Sequence, residues 1–259
     1  MANFFQNIFQ KNSKLSTEEL IVKKTVISFF FFFILIGAAV WGWGWLRHQP
    51  AVAGRTSSPI RSVLNTNEAI FNGLLSDKHL AKEYPVSAAV KNARVNGDIG
   101  MGKDFDPATW QMIVLKKNGD TLRVKLDDIK KLPKTELIFN FKCIEGWNQV
   151  THWGGVKFSE FIKAYGLNDE SGMKYLGLIT PDKAYYVGID MPSAMHPQTL
   201  LCYELNGQPL PMNQGYPLRL IIPVKYGVKS LKRIGTMSFA NNRPPDYWSE
   251  KGYDYFSGL

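Results

Sequence analysis

From Thr25 to Leu46 the chain carries no charged side chain, and five consecutive phenylalanines, Phe29 to Phe33, lie inside that run. Coiled as a helix the stretch rises roughly 33 Å, against a hydrocarbon core of about 30 Å, so the pattern predicts one membrane span over residues 25–46. Lys23 and Lys24 close one end and Arg47 the other. Trp41, Trp43 and Trp45 crowd the second end, where amphipathic rings favour the lipid–water boundary. A cleaved signal peptide is the rival. The apolar stretch exceeds a usual h-region, and the small-residue candidate Ala51-Val52-Ala53 falls beyond Arg47 and Pro50, so a retained anchor is expected. Four lysines precede the span and Arg47, Arg55 and Arg61 follow it. This slight positive-inside bias puts residues 1–24 in the cytoplasm and the rest outside, on the periplasmic or extracytoplasmic face of the inner (plasma) membrane.

Beyond the span the patterning changes. Residues 47–60 are rich in Pro, Gly, Ser and Arg and read as a tether. Between Asn67 and Lys82, Ile70, Phe71, Leu74, Leu75 and Leu80 recur at helical spacing, predicting one or two short helices packed on the main domain, so that 47–84 forms a link. From Pro85 to the C-terminus short alternating runs dominate. Strands are predicted at Trp110–Leu115 and Leu122–Leu126, joined by a tight Asn118-Gly119 turn. Others fall at Leu137–Phe141, Tyr175–Ile179, Tyr185–Ile189, Thr199–Leu205, Leu218–Ile222 and Leu231–Phe239. Asp127 is placed to cap a short helix ending by Pro133, and Phe158–Tyr165 has helical spacing stopped by Gly166. Many strands, few helices and no βαβ rhythm give a sheet-rich α+β domain over residues 85–259.

Composition narrows the choice of partner. Apolar residues make up 45% of 259 positions, ample for a packed core. The formal charge is +9; residues 1–24 hold four Lys and two Glu, leaving +7 for the rest. That surplus suits anionic lipid or an acidic cofactor, and without an Arg-rich run or a nucleic-acid motif no nucleic-acid partner is expected. Cys143 and Cys202 are too far apart for a Cys-x-x-Cys site; a single disulfide between them is the reading open for an exported domain. Four histidines are scattered, with His152 and His196 the ones placed to line a site.

The candidate chemistry concentrates in two segments. Cys143 follows a predicted strand in the setting Lys142-Cys-Ile-Glu-Gly-Trp147; a thiolate there suits a soft metal, and Lys142 would favour thiolate over thiol. Glu145 is a carboxylate two positions on, placed for proton transfer. Taken alone, a lone cysteine is more often a small buried hydrophobe, and Trp147 and Trp153 are as readily core as cleft walls. In Pro217–Pro223 a single Arg219 interrupts an apolar strand, and its planar fork needs an anionic partner. Lys225, Lys229 and Lys232 follow as point charges for a phosphate, with Ser230 and a glycine between them.

Taken together, Cys143-x-Glu145-Gly146-Trp147, Ala194–Leu200, Pro217–Pro223, Lys225–Lys229 and Arg243-Pro244-Pro245 resemble, in order, the sulfite-oxidase family of molybdopterin-binding domains. The nearest likeness is to its bacterial branch of periplasmic protein-methionine-sulfoxide reductases. The resemblance covers roughly Pro85 to Leu259. It implies a mononuclear molybdenum–molybdopterin (Mo-MPT) cofactor, with Cys143 the protein's metal ligand and Glu145 the proton relay. It also implies pterin contacts from Asn96, Ile99, Gly100, Thr180, Gln214, Arg219, Ser230, Leu231 and Lys232. Ile99 and Gly100 stand where the reductases have Tyr-Glu, so backbone contact is expected there, and Gln214 replaces an asparagine. Two departures mark this chain: a span in place of a removable leader, and a shorter loop between Thr180 and Met195. The resemblance further implies oxygen-atom transfer, with reduction of a small-molecule or protein-bound S-oxide or N-oxide fed by a separate haem or quinone-linked membrane donor. Sulfite-type oxidation on the same cofactor and a non-enzymatic membrane-tethered module are the alternatives. No arginine trio flanks Cys143, which disfavours sulfite.

Overall fold

The computed structural model describes residues 15–52, 56–74 and 79–259. Ala53, Arg55 and Leu75 lie outside the described residues, as does most of the N-terminal segment. The chain divides into two compact units, one of residues 1–52 with 57–59, the other of residues 53–56 with 60–259.

The first unit is dominated by helix α1, Thr17–Arg47, which begins eight residues before the uncharged run. Ser16 explains the early start: its hydroxyl accepts from the Glu19 N–H while the Glu19 carboxylate accepts from the Ser16 N–H at 2.9 Å. That reciprocal cap satisfies donors the first turn would otherwise leave open. None of the helix is buried, and it is long and apolar enough to cross a bilayer, a property that a signal sequence near an N-terminus shares.

Helix α2 runs Ser58–Leu74, all but its first two residues in the second unit, and starts nine residues before the predicted Asn67 because Pro59 is tolerated at its first turn. Two sheets follow. One is built from β1 Met112–Leu115, β2 Thr121–Val124, β5 Tyr175–Ile179, β6 Tyr186–Asp190 and β10 Thr236–Ala240, in the order β2-β1-β10-β5-β6. The other holds β3 Lys134–Lys142, β4 Asn148–Lys157, β7 Leu200–Leu205 and β8 Gln208–Pro209 in the order β8-β7-β4-β3, with β9 Arg219–Ile221 also paired to β7. Short helices α3 Leu126–Lys130, α4 Phe158–Ala164, α5 Asn168–Ser171 and α6 Met191–Ala194 lie between the strands in sequence, α4 adding Phe158, Phe161 and Ile162 to the main core. The sheet-rich α+β class is as predicted.

Several boundaries differ for local reasons. Lys125, not Asp127, precedes α3, and Asp127 sits in its first turn, where a carboxylate favours the positive helix end. Residues 231–235 are irregular, with a bend at Lys232 and Arg233, so the last strand starts at Thr236. Strand β4, the longest in the domain, went unpredicted because Gly154-Gly155 breaks its apolar pattern. A Cβ on Gly155 would meet the Leu201 carbonyl oxygen at 2.2 Å, and the β4–β7 register slips between the two glycines. Close backbone approach at a bulge is what glycine permits.

The second sheet is buried on both faces. Leu201, Tyr203, Leu218 and Leu220 join the main core with Phe158, Phe161 and Leu178. Leu137, Phe139, Trp153, Leu200, Cys202 and Ile221 form a smaller cluster on the opposite face. Alternation along each strand decides what the second face carries next. Leu137, Phe139 and Phe141 share that face, so Cys143 continues it; Arg219 shares it with Ile221 and pairs in register with Cys202.

Candidate active site

Cys143 sits at the start of the hairpin loop joining β3 to β4. Its N–H donates to the Trp147 carbonyl at 2.9 Å, and Gly146 (φ +89°) donates to the Cys143 carbonyl at 3.0 Å. This tight loop turns the thiol into an open cleft of about 1040 Å³, counting the solvent in its mouth. Of the predicted residues, Asn96, Ile99, Cys143, Glu145, Gln214, Arg219, Ser230 and Lys232 line that cleft. Gly100, Thr180 and Leu231 do not. They stand one layer behind: Gly100 packs on Thr180, the Thr180 hydroxyl donates to Asp182 at 2.6 Å, and Leu231 is fully buried in the main core.

The Cys143 thiol is buried, and burial pushes its pKa above the ordinary value, opposed by the N–H groups of Glu145 and Ile144 and by the charge of Arg94. The cation acting on the thiol is therefore Arg94, which stacks on Trp147 at 4.7 Å, and not Lys142, whose side chain is exposed. Asn96 Nδ2 lies 3.6 Å from the sulfur. Glu145 is exposed at the mouth; the Trp147 indole N–H donates to it at 3.0 Å and, with Asn96, holds its pKa low.

The floor is Arg219. Only 3% exposed, it donates to the Gln214 backbone and side-chain oxygens at 3.0 Å each and to the Ser230 carbonyl at 3.3 Å, with Trp153 stacked on it at 4.6 Å. Burial drags its pKa down to about 10. Its Nε and the Ser230 hydroxyl are buried with no partner. Lys232 donates to the Asn96 and Gly97 carbonyls at 2.7 and 2.9 Å, and burial first, then Arg219, lowers its pKa to about 8. Gln214 and Lys232 thereby hold the loop 93–97 against the cleft.

Lys225 and Lys229 do not serve the cleft as predicted. Lys229 donates to Asp246 at 2.5 Å and to the Gly188 carbonyl. Lys225 Nζ pairs with Asp190 at 2.6 Å. Both thiols are free, so the disulfide reading falls. His152 bonds Glu136 and His196 the His79 carbonyl, and neither lines the cleft. The Ala194–Leu200 motif serves the fold instead: the Gln198 amide binds Ala81 and Glu83, pinning residues 81–83 to the domain. The sequence reading missed Arg94, Tyr185, Trp248 and Tyr253 as lining residues. A cluster of C-terminal aromatics was the available signal, one indistinguishable from core.

The residues fit a pterin-borne metal. Among the described residues no group of three or more His, Cys, Asp or Glu could hold an ion, so a metal at Cys143 must arrive with ligands of its own. Orphaned donors on Arg219 and Ser230, beside a desolvated guanidinium, call for an anion such as a phosphate. A one-thiol metal end and a cationic floor define a site for a metal carried on a phosphorylated organic ligand, in a two-sheet α+β scaffold.

The chain matches the family described as "Oxidoreductase molybdopterin binding domain" over residues 99–248, and it belongs to that family, the sulfite-oxidase type. It is an oxidoreductase, and its cofactor is a molybdopterin. An Azospira oryzae protein provisionally named protein-methionine-sulfoxide reductase subunit YedZ1 is 32% identical over 203 residues, 78% of this chain and 76% of that one. The protein-methionine-sulfoxide reductase catalytic subunit MsrP of Campylobacter jejuni is 29% identical, covering 67% and 63%. MsrP of Ralstonia nicotianae is 35% identical, covering 59% and 51%. The chain thus spans between half and two thirds of those two catalytic subunits.

Proposed function

We propose that this chain is the catalytic part of a membrane-anchored molybdopterin enzyme that removes oxygen from an S-oxide or N-oxide, taking two electrons and two protons per oxygen released as water. The single observation that carries the reading is the pairing of a cleft-facing thiol, Cys143, with a buried guanidinium, Arg219, that has no anion of its own. The names of the relatives favour a sulfoxide as substrate.

The cofactor, when bound, supplies two-electron oxygen-atom transfer. Cys143 is the metal ligand, and the Ile144 and Glu145 N–H groups compensate charge on its sulfur. Arg219 Nε, the Ser230 hydroxyl and the remaining Lys232 proton hold the phosphate end. Gln214 orients Arg219, and Asn96 steadies the sulfur. Ile99 contributes from the lining, and Gly100, Thr180 and Leu231 act from behind through the backbone and turn they support. Glu145, exposed at the mouth, passes protons inward. Trp147, Trp248 and Tyr253 give the mouth aromatic walls, which suit a polarisable sulfur substituent.

Residues 25–46 are the span, 1–24 a cytoplasmic segment, 47–84 the link and 85–259 the cofactor domain, set on the extracytoplasmic side of the inner membrane. Electrons come from a separate haem or quinone-linked membrane donor. The test is purification in detergent from a molybdenum-replete host, with metal and pterin measured. Near-stoichiometric molybdenum, lost in Cys143→Ala, and turnover of alkyl sulfoxides with a reduced dye are expected. A metal-free protein overturns the reading, and turnover of sulfite with an acceptor reverses its direction.

A further inference from the structure

Helix α2 is amphipathic, and it faces the wrong way for a helix packed on a protein. Its two charged residues point inward. Arg61 is 6% exposed and donates to the Tyr253 and Ser249 carbonyls; Glu68 is 4% exposed and pairs with Arg243. Val63 and Ile70 lie on the opposite side, 61% and 53% exposed, with Ile60 beside them, while Phe71 at the inner edge stacks on Phe256. At about 100° per residue Ile60, Val63 and Ile70 fall within an arc of roughly 80°, with Asn67 the one polar residue inside it. The ion pair and the guanidinium contacts lock this orientation, so the apolar arc is held outward. Water-facing arcs of this kind mark an interaction surface.

We propose that this arc seats on the lipid surface, with α2 lying in the plane of the headgroup–acyl boundary; the inference rests on the reading of residues 25–46 as a retained span. Connectivity favours lipid over any other occupant. Eleven residue steps separate Arg47 from Ser58, so α2 starts within roughly 40 Å of the end of α1 even at full extension. The tryptophans Trp41, Trp43 and Trp45 mark that end as the boundary side. The arc itself bears no charge, which suits burial among acyl chains and removes any need for anionic headgroups. The consequence reaches the cleft. Thr56 and Arg61 bond the segment Ser249–Tyr253, and Trp248 and Tyr253 form one cleft wall, so the helix resting on the bilayer also steadies the mouth of the site.

The test uses the full chain alone in phosphatidylcholine proteoliposomes. An encoded environment-sensitive fluorophore is placed in turn at Leu35, Val63, Ile70 and Ala69, the last on the polar flank of α2. Nitroxide-bearing lipid should quench Leu35, Val63 and Ile70 at least about threefold more than Ala69, and aqueous iodide should show the reverse order, as a helix 5–10 Å deep requires. If Leu35 is lipid-quenched while Val63 and Ile70 respond to iodide like Ala69, the arc is free in lipid and the proposal falls. Protection of Val63 and Ile70 from both quenchers assigns the arc to a second copy and also overturns it. If Leu35 itself escapes lipid quenching, the anchor reading fails first and the seating with it.

Discussion

Residues 219–232 hold two kinds of cation, buried or half-buried, and they do opposite things. Lys225 and Lys229 each meet an aspartate, Asp190 and Asp246, and each lies against an aromatic ring, Phe256 and Tyr255. Arg219 and Lys232 donate only to carbonyl and amide oxygens, with Trp153 stacked on Arg219, and no carboxylate among the described residues comes within ion-pairing distance of either. A buried charge that has found its counter-charge is a fastening. One without a counter-charge, beside an open cleft, is half of a pair whose other half is a ligand.

Removing a fastening should have the largest effect. Lys229→Met leaves Asp246 buried with no cation, although that carboxylate still accepts from the Gly188 and Ser249 N–H groups. The expected cost is about 3–5 kcal/mol of folding stability, read from urea unfolding of the metal-free protein. The double variant Lys229→Met with Asp246→Leu should recover most of it. A single variant as stable as wild type would mean that the two kinds of cation do not differ.

Arg219→Met tests the other half. Holding the guanidinium where its pKa drops to about 10 costs on the order of 3 kcal/mol, and its three hydrogen bonds return about 1 kcal/mol each. The two nearly cancel, so the metal-free variant should unfold within about 1 kcal/mol of wild type. Its molybdopterin content should nevertheless fall at least about tenfold, from loss of a charge-assisted contact of roughly 1.5–3 kcal/mol. A variant that loads cofactor normally would remove Arg219 from the site.

This contrast also marks what could be read in the chain beforehand. Arg219 was legible because one guanidinium in an apolar strand has no local means of satisfaction. Cys143 was legible because it follows a predicted strand within Cys-Ile-Glu-Gly-Trp; the strand register then explains why its thiol continues the face of Phe139 and Phe141. Lys225 and Lys229 were misread because their aspartates come from β6 and the C-terminal segment, and only the folded chain brings them together. Periodicity showed that α2 is amphipathic, but not that Glu68 and Arg61 would claim the inner side. Gly100, Thr180 and Leu231 belong to the same limit: a motif places residues near a site without saying whether a side chain reaches it.

The smallest effect is a pH slope. Lys232 is charged below about pH 8 in the folded, ligand-free protein, against an ordinary value of 10.5. Pyrophosphate, as a probe of the cationic floor, should bind the metal-free protein with an affinity that falls up to about fivefold between pH 8 and 9, as the ammonium discharges. Folding stability should move the other way. Between pH 8 and 10.5 the unfolded lysine holds more protons than the folded one, so stability rises with pH across that window. Lys225, also lowered to about 8, adds a slope of the same sign, so Lys232→Met should flatten the stability profile only in part. It should, however, remove this component of the pyrophosphate slope. Calorimetric titration across the window decides the matter: wild-type affinity that ignores pH would place Lys232 among the fastenings rather than on the floor of the site.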